Sequence, residues 1–281
     1  MSRTRKSTAR LPDPQALRHR INAGVVAVKN QVAFFEAQFG DVESHWKEDD
    51  SRVTFADFAI SEKCFAELRQ SFPEDDYCSE ESNPEDEEQL LEAEYAWVLD
   101  PIDGTNNYAL GIPMCSISLG LLRHGEPIYG YIYDYSRRTL VHGGEGEGVY
   151  DGTRKGKVRN EAPHPQSHFA TNLPFKPDEI DRTRYLFETY RSRSFGSAAI
   201  NLAYTAVGKL DACLDFRVKV WDVAAGFAMI KAAGGEVIYL DEPAFPLKRF
   251  HPHMPAMKCV AGNPAFCKMV AEHYTRMLET T

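Results

Sequence analysis

The spacing of apolar residues changes along the chain between helical and strand periods, which predicts a mixed α/β protein. From residue 14 to 39 the apolar positions recur at steps of three and four, the spacing of one face of a long helix. Asp13 is the expected N-cap and Pro14 lies in the first turn. The stripe consists of Leu17, Ile21, Val25, Val28, Val32, Phe35 and Phe39.

The rest of the first half predicts one more helix and then mainly antiparallel strands. The helix is expected from about Phe58 to Ser71, with inward positions at Cys64, Phe65, Leu68 and Phe72. The segment "AWVLD" predicts a buried strand. The segment "CSISLGLLRHGEPIYGYIYDY" predicts two strands joined by a turn at His124 to Glu126. Short strands separated by glycines continue to about residue 160.

In the second half, helices and strands alternate. The predicted order is a helix near Ile180 to Tyr190, a short strand, a helix over Ser197 to Val207 and a strand over Leu210 to Asp215. After these come a helix stopped by Gly234 and Gly235, a strand, and a final strand and helix with Pro264 near its start. The proline-rich segment 161–169 is the expected internal boundary. We therefore predict a basic tail over 1–13 and one unit over 14–281, with subdomains 14–160 and 161–281.

Composition narrows the function classes. The chain has 281 residues, is 43% hydrophobic and has a net charge of −9, which argues against a nucleic-acid partner. No apolar run is long enough to span a bilayer, and the start "MSRTRKSTAR" lacks the apolar core of a signal peptide, so no membrane partner is expected. Six cysteines without a CxxC pair predict buried or free thiols in the cytoplasm.

The stretch "LDPIDGTNNY" carries the strongest chemical signal. Asp100 and Asp103 lie three residues apart at the end of an apolar run, and two nearby carboxylates repel unless a cation or a proton separates them. An oxygen-rich cluster suits Mg²⁺, so Asp100 and the Ile102 carbonyl are expected at one ion and Asp103 at a second. Gly104 and Thr105 then begin a turn whose N–H groups are suited to phosphate.

Three other acids stand next to apolar sequence and are candidates for the same cluster. They are Asp57 in "VTFAD", Glu80 in "YCSEES" and Asp222 in "VWDVAAG". The alternative interpretation is structural, because Asp commonly follows a strand or caps a helix.

These motifs together resemble the inositol monophosphatase family of Mg²⁺-dependent, lithium-sensitive sugar-phosphate phosphatases. The resemblance rests on "WVLDPIDGTNNYALGIP", on "SEES" upstream and on "WDVAAGFAMIKAAGG" downstream, and it covers about residues 15 to 275. It implies a layered α/β/α/β/α sandwich of the inositol monophosphatase and fructose-1,6-bisphosphatase type. It also implies in-line attack of a metal-activated water on a phosphate monoester.

The resemblance also implies a role for each matching residue. Glu80, Asp100 and the Ile102 carbonyl would bind the first metal, and Asp100, Asp103 and Asp222 the second. Asp57 would lie near a weaker third ion, which gives two or three Mg²⁺. Thr105 would act with Glu80 on the attacking water, and Lys47 matches a loop lysine that meets phosphate or metal-bound water.

Substrate selection is expected in the second half, beside Asp103 and Asp222. Gly196, Ser197 and Ala198 match a segment that faces the substrate ring, and Asp215 matches an acid that accepts hydrogen bonds from substrate hydroxyls. Alternation along "LDFRVKVWD" places Asp215, Arg217 and Lys219 on one strand face. Arg217 would either hold a second anionic group or belong to a solvated face or subunit contact.

The substrate and the assembly stay open at this stage. Inositol monophosphate is the first candidate, followed by fructose 1,6-bisphosphate, histidinol phosphate and 3′-phosphoadenosine nucleotides. The resemblance and the apolar strand "SISLGLL" predict a homodimer. The rival from another class, a non-catalytic metal-binding homologue, would have lost Glu80, Thr105 or Asp222, and all three are present.

Overall fold

The structure is a computed structural model that describes residues 14–46, 52–83, 85 and 87–279. The basic segment 1–13, with the predicted cap Asp13, lies outside this range. Within the described residues the helices are α1 (Pro14–Gln38), α2 (Phe55–Ser71), α3 (Thr105–Ala109), α4 (Pro177–Thr189), α5 (Ala198–Ala206), α6 (Val220–Ala232) and α7 (Pro264–Glu279).

The strands form two large sheets and two short ribbons. In chain order the strands are β1 (Ser44–Trp46), β2 (Arg52–Thr54), β3 (Asp76–Ser79), β4 (Gln89–Leu90), β5 (Tyr95–Asp103), β6 (Ser116–Arg123), β7 (Glu126–Asp134), β8 (Thr139–Gly144), β9 (Gly148–Asp151), β10 (Arg154–Gly156), β11 (His168–Ala170), β12 (Arg191–Arg193), β13 (Ala212–Val218), β14 (Glu236–Tyr239), β15 (Arg249–Phe250) and β16 (Met257–Gly262).

The first large sheet has the strand order β10-β9-β8-β7-β6-β5-β3 and is antiparallel except where β3 pairs with β5. The second has the order β12-β11-β13-β16-β14. The ribbons pair β1 with β2 and β4 with β15.

The two sheets and the helices stack in five layers. Helices α1 and α2 cover one face of the first sheet through a core that includes Phe35, Leu68 and Trp97. Helices α5 and α6 fill the space between the sheets, and the core there includes Val98 on one side and Cys259 on the other. Helices α4 and α7 pack on the outer face of the second sheet. The predicted α/β/α/β/α sandwich is therefore confirmed.

Two glycines of the first sheet let the middle layer come close. A Cβ at Gly130 would lie 2.1 Å from the carbonyl oxygen of Ala225, and one at Gly120 would lie 2.8 Å from the Cβ of Ala224. Helix α6 therefore packs its backbone directly on β6 and β7. This contact brings the first turn of α6, with Asp222, to the sheet that carries Asp100.

Most predicted elements are present, with shifts at some ends. Helix α2 begins at Phe55 rather than Phe58, because Thr54 caps it and Asp57 completes a capping box. Strand β13 begins at Ala212 rather than Leu210 and continues to Val218. All six cysteines are free and buried, as expected. None of the described helices is both long and apolar enough to cross a membrane.

Candidate metal centre

A β-bulge at the end of β5 places two carboxylates on the same side of the sheet. In a regular strand, residues three apart point to opposite faces. Here the pairing with β6 shifts between Asp100, opposite Ser118, and Asp103, opposite Ser116, so three steps on β5 match two on β6. The bulge cancels the alternation, and ligand oxygens of Asp100, Asp103 and Asp222 all lie within 4.8 Å of one another.

The N-terminal end of α5 holds Asp103. The backbone N–H groups of Ala198 and Ala199 donate to its two carboxylate oxygens at 3.1 and 2.9 Å. The hydroxyl groups of Ser116, at 3.2 Å, and of Ser197 donate to the same oxygen, Oδ2. The positive end of the helix and these donors favour the charged carboxylate, and they fix its orientation.

Asp57 and Asp222 have matching positions at the third residue of a helix. Asp222 Oδ2 accepts from the backbone N–H of Lys219 at 2.7 Å, and Asp57 Oδ2 accepts from the backbone N–H of Thr54 at 2.8 Å. Each capping bond uses one carboxylate oxygen and leaves the other for a second partner. The structural interpretation of these acids as helix caps is thus correct, and capping leaves one oxygen of Asp222 for the acidic cluster.

Thr105 connects the bulge to Asp57. Its hydroxyl donates to the Ile102 carbonyl at 2.8 Å and lies 3.5 Å from Asp57 Oδ1. A carbonyl oxygen has two lone pairs, so this bond leaves Ile102 one acceptor site. Gly104 precedes Thr105 with φ +83°, and a Cβ there would lie 2.9 Å from the Met114 carbonyl oxygen, so glycine is required at this turn.

Glu80 lies in the turn after β3, where its backbone N–H donates to the Leu99 carbonyl at 3.1 Å. It lines a cleft of about 390 Å³ together with Asp100, Asp103 and Asp222, while its half-buried side chain leaves it at the edge of the cluster. Among the described residues, the group of acids close enough to share one ion is Asp100, Asp103 and Asp222, without Glu80 or Asp57.

The carboxyl groups of this region hold protons more tightly than carboxyls in water. Burial raises the pKa of Asp57 to about 8 and that of Asp103 to about 6; the hydrogen bonds of Asp103 oppose the effect of its burial. Burial, followed by repulsion from neighbouring acids that include Glu80, raises the pKa of Asp100 and Asp222 well above the ordinary range.

These donors fit a hard divalent cation. The described cluster offers carboxylate oxygens, the Ile102 carbonyl lies in the wall of the same cleft, and Mg²⁺ prefers such oxygen ligands. Repulsion among the acids is relieved when a cation lies between them, which also lowers their pKa values again.

A second cleft of about 160 Å³ adjoins the first, and both are lined by Asp103 and Asp222. Its wall includes Asp215, whose carboxylate accepts from the Asn172 backbone N–H and from the Cys213 thiol, both at 3.0 Å. Burial raises the pKa of Asp215 to about 7. Arg217 lines the same cleft, 3.7 Å from the buried carboxylate of Glu179.

The residues predicted on the substrate side differ in their surroundings. Ser197 is 1% exposed and caps α5 while it donates to Asp103, so its hydroxyl is already used inside the protein. Gly196 and Ala198 line the second cleft as expected. Lys219 does not continue the strand face of Asp215. A bulge follows Asp215, and the Lys219 ammonium donates to the Met254 carbonyl at 2.5 Å.

A cleft of about 670 Å³, larger than the two at the acidic cluster, lies elsewhere, along residues 243–255. Its described lining contains one acid, Glu88, so it has no counterpart of the acidic cluster.

Comparison with known proteins agrees with this architecture. The sequence profile of the Inositol monophosphatase family matches residues 20–278. The chain belongs to this family. With that membership, the chain is a phosphoric monoester hydrolase.

Named relatives of the inositol monophosphatase family differ in the activity or role that their names give. The chain is 30% identical to Nus factor SuhB of Pasteurella multocida, over 70% of this chain and 75% of that protein. It is 32% identical to the fructose-1,6-bisphosphatase/inositol-1-monophosphatase of Thermotoga maritima, over 66% and 70%. A solved Thermotoga maritima IMPase has the same fold, with a TM-score of 0.79, 24% identity and coverage of 93% of this chain and 99% of that one.

Two cleft residues of this inositol monophosphatase homologue were not predicted from the sequence. Trp46 and Arg52, from β1 and β2, line the cleft of about 390 Å³ beside Asp100 and Thr105. Arg52 stands two residues before the cap Thr54, but a single arginine in a short strand gives no periodic signal. Lys47, the predicted loop lysine, lies outside the described residues.

Proposed function

We propose that this chain is a Mg²⁺-dependent phosphatase that hydrolyses a small phosphorylated polyol, with inositol monophosphate as the first candidate. The main support for this proposal is the group of three carboxylates that come together at the bulge of β5. A second cleft with a buried hydrogen-bond acceptor, Asp215, lies next to them. Glu80, Asp100, Asp103, Asp222 and the Ile102 carbonyl would hold two Mg²⁺ ions, with Asp57 near a third. When bound, the metal ions supply charge neutralisation of the phosphate and a more acidic water.

The protein's own groups orient the reaction in this proposal. Thr105 donates its hydroxyl hydrogen to the Ile102 carbonyl, so a free lone pair of its oxygen accepts a hydrogen bond from the attacking water and orients it. The Glu80 carboxylate accepts one proton from that water as it attacks, and the other hydrogen stays on the oxygen that bonds to phosphorus. The N–H groups of Gly104 and Thr105 bind the phosphoryl oxygens. Attack then proceeds in line, with most of the catalysis supplied by positioning and electrostatics.

The direct test is release of phosphate from a panel of substrates with and without Mg²⁺. We expect hydrolysis of inositol monophosphate that disappears with a chelator and returns with Mg²⁺. Addition of Li⁺ checks the lithium sensitivity that the resemblance implies. An absence of metal-dependent hydrolysis across the whole panel would contradict the proposed function.

Fructose 1,6-bisphosphate is the second candidate, because Arg217 lines the substrate cleft with about half of its side chain exposed. A guanidinium there is suited to a second phosphate group. The relative from Thermotoga maritima carries both activities in its name. Selective loss of bisphosphate hydrolysis in Arg217→Ala is the expected sign of that role.

Thr105→Ala is predicted to lower kcat by about 100-fold with little change in KM. The hydroxyl is proposed to orient the water, which matters mainly in the transition state. Steady-state kinetics with inositol monophosphate measures both constants, and Thr105→Ser, which keeps the hydroxyl, is the control. A rise in KM at constant kcat would assign Thr105 to substrate binding instead.

Asp215→Asn is predicted to reduce the differences in kcat/KM among inositol, glycerol and hexose phosphates by about 10-fold or more, while an aryl phosphate is still hydrolysed. Asn keeps the shape but removes the charge and replaces one oxygen that accepts hydrogen bonds from substrate hydroxyls with an NH2 donor. Because the pKa of Asp215 is raised to about 7, KM for polyol phosphates should rise in the wild type as pH falls below that value. An unchanged ranking would place the selecting residues elsewhere.

A homodimer and a cytoplasmic location stay predictions, as does the absence of a nucleic-acid partner. Light scattering at micromolar concentration measures the assembly, and a monomer would contradict it. Because some relatives are called Nus factors, an RNA gel shift is the sharper test of the nucleic-acid prediction.

A further inference from the structure

Arg52 and Trp46 form a stacked pair in the wall of the metal cleft. They face each other in the register of the β1–β2 ribbon, and the guanidinium carbon lies 4.3 Å from the centre of the indole ring. Trp46 is 63% exposed. Both side chains line the cleft of about 390 Å³ that contains the acidic cluster.

The charge of this cleft makes Arg52 unusual. The described lining contains four acidic residues, Glu80, Asp100, Asp103 and Asp222, and Arg52 is the cation among those described lining residues. A phosphate monoester carries negative charge of its own and is repelled by carboxylates. A cation in the same wall offsets part of that repulsion at the place where the substrate must bind.

Arg52 also has an unused hydrogen-bond donor. Its Nη1 donates to Ser44 Oγ at 2.6 Å, whereas its Nε is buried and has no hydrogen-bond partner among the residues that the structure describes. A buried donor without an acceptor is unfavourable, so an acceptor supplied by a ligand would satisfy it. The flat guanidinium group matches phosphoryl oxygens, which it binds through two parallel N–H groups.

We propose that Arg52 is a further catalytic residue, which donates hydrogen bonds to the phosphoryl group that is transferred. Strand β2 packs against α3, which begins directly after Gly104, and Gly104, Thr105 and Asn106 line the same cleft as Arg52. The arginine therefore stands beside the turn assigned to phosphoryl binding, and Trp46 holds the plane of its guanidinium group. This inference rests on the proposed function, because it assumes that a phosphoryl group enters this cleft.

Charge on the phosphoryl oxygens explains what Arg52 would contribute. That charge is spread over the equatorial oxygens in the transition state, where a fixed guanidinium stabilises it. All phosphate monoesters share the phosphoryl group, so the contribution is the same for every substrate. A residue that held a second anionic group would instead affect only substrates that carry one.

The test compares Arg52→Lys and Arg52→Gln with the wild type. Arg69→Gln is the matched control, because Arg69 also stacks on an aromatic ring, 4.6 Å from the centre of Tyr77, and lines a different cleft. We would measure kcat/KM for inositol monophosphate, glycerol phosphate and an aryl phosphate. Calorimetry in the presence of Mg²⁺ would measure the Kd of inorganic phosphate, and thermal unfolding would check folding.

Arg52→Gln is expected to lower kcat/KM by about 10- to 100-fold on all three substrates and to weaken phosphate binding by a similar factor. Arg52→Lys should give values of kcat/KM and Kd between those of Arg52→Gln and the wild type, since lysine keeps the positive charge but lacks the two parallel N–H donors. Arg69→Gln should behave as wild type.

Two results would overturn the inference. One is an unchanged Kd of phosphate in a folded Arg52→Gln protein. The other is a loss confined to substrates with a second anionic group, for which fructose 1,6-bisphosphate is the probe. Failure of the proposed function is recognised separately, because the wild type itself would then show no Mg²⁺-dependent hydrolysis, and phosphate binding by the variants would still test Arg52.

Discussion

Asp100→Asn should lower Mg²⁺-dependent phosphate release by about 1,000-fold or more and, at the same time, stabilise the metal-free protein. The loss of activity is expected because Asp100 is proposed as a ligand of two ions. Loss of such a ligand costs several kcal/mol of transition-state stabilisation, and each 1.4 kcal/mol is about a factor of ten. The gain in stability follows because Asp100 is buried beside other acids and its pKa is raised by burial and by their charge. Amide replacement removes that repulsion.

The measurement pairs two assays on the same protein. Phosphate release with Mg²⁺ gives the activity, and denaturant unfolding with a chelator gives the free energy of unfolding without metal. Asp75→Asn is the matched control. Asp75 is also buried, but it forms an ion pair with Arg20 at 2.7 Å and accepts from the Trp97 indole N–H at 3.0 Å.

The control should give the opposite pattern, with lower stability and retained activity, because its charge has a cationic partner. If Asp100→Asn kept near-normal turnover, or if it destabilised the metal-free protein as Asp75→Asn does, Asp100 would not belong to a repulsive metal-binding cluster.

A second large effect is expected from pH. Without metal, the protein should lose several kcal/mol of stability as pH rises from about 4 to about 8. Unfolded carboxyl groups titrate near pH 4, whereas in the folded protein burial raises the pKa to about 6 for Asp103, about 7 for Asp215 and about 8 for Asp57. The folded state thus binds more protons than the unfolded state in this window, and that contribution is lost as pH rises through the folded values.

Mg²⁺ should reverse the pH effect at its upper end. An ion that binds the ionised acids in the folded state adds stability in proportion to the logarithm of its concentration. Thermal unfolding with a chelator from pH 4 to 9, repeated with Mg²⁺ at pH 8, measures both parts. Asp57→Asn should reduce the slope. A metal-free protein whose stability stayed flat or rose through this window would refute the assignment of raised pKa values.

Much of the fold could be predicted because one face of most elements is buried. The stripe of α1 follows directly from that requirement, and the apolar run of β5 follows from burial on both faces. The order of the five layers, by contrast, was implied by the resemblance of the motifs to a known family. The predicted start of α2 was late because an apolar pattern does not reveal a cap. The capping box of Thr54 and Asp57 extends the helix by a turn.

The contacts of the site were harder to predict than the fold, because many of the interacting residues lie far apart in the sequence. Asp100 and Asp103 are neighbours, so one motif identified both. The partners of Asp103 at Ser197, Ala198 and Ala199 come from α5 and its cap, more than ninety residues later. Asn172, which donates to Asp215, lies 43 residues before it. Only the folded chain distinguishes a hydroxyl that faces substrate from one that already holds a carboxylate.

The bulge between Asp100 and Asp103 means that the candidate metal centre depends on local backbone geometry as well as on residue types. If the same residues paired with β6 without a bulge, Asp103 would point away from Asp100, toward the layer of α1 and α2, although every acid would still be present. A homologue can therefore keep all of the acidic residues and still separate them if its strand pairs regularly at this point. Whether such a chain keeps the bulge is as informative as whether it keeps the acids.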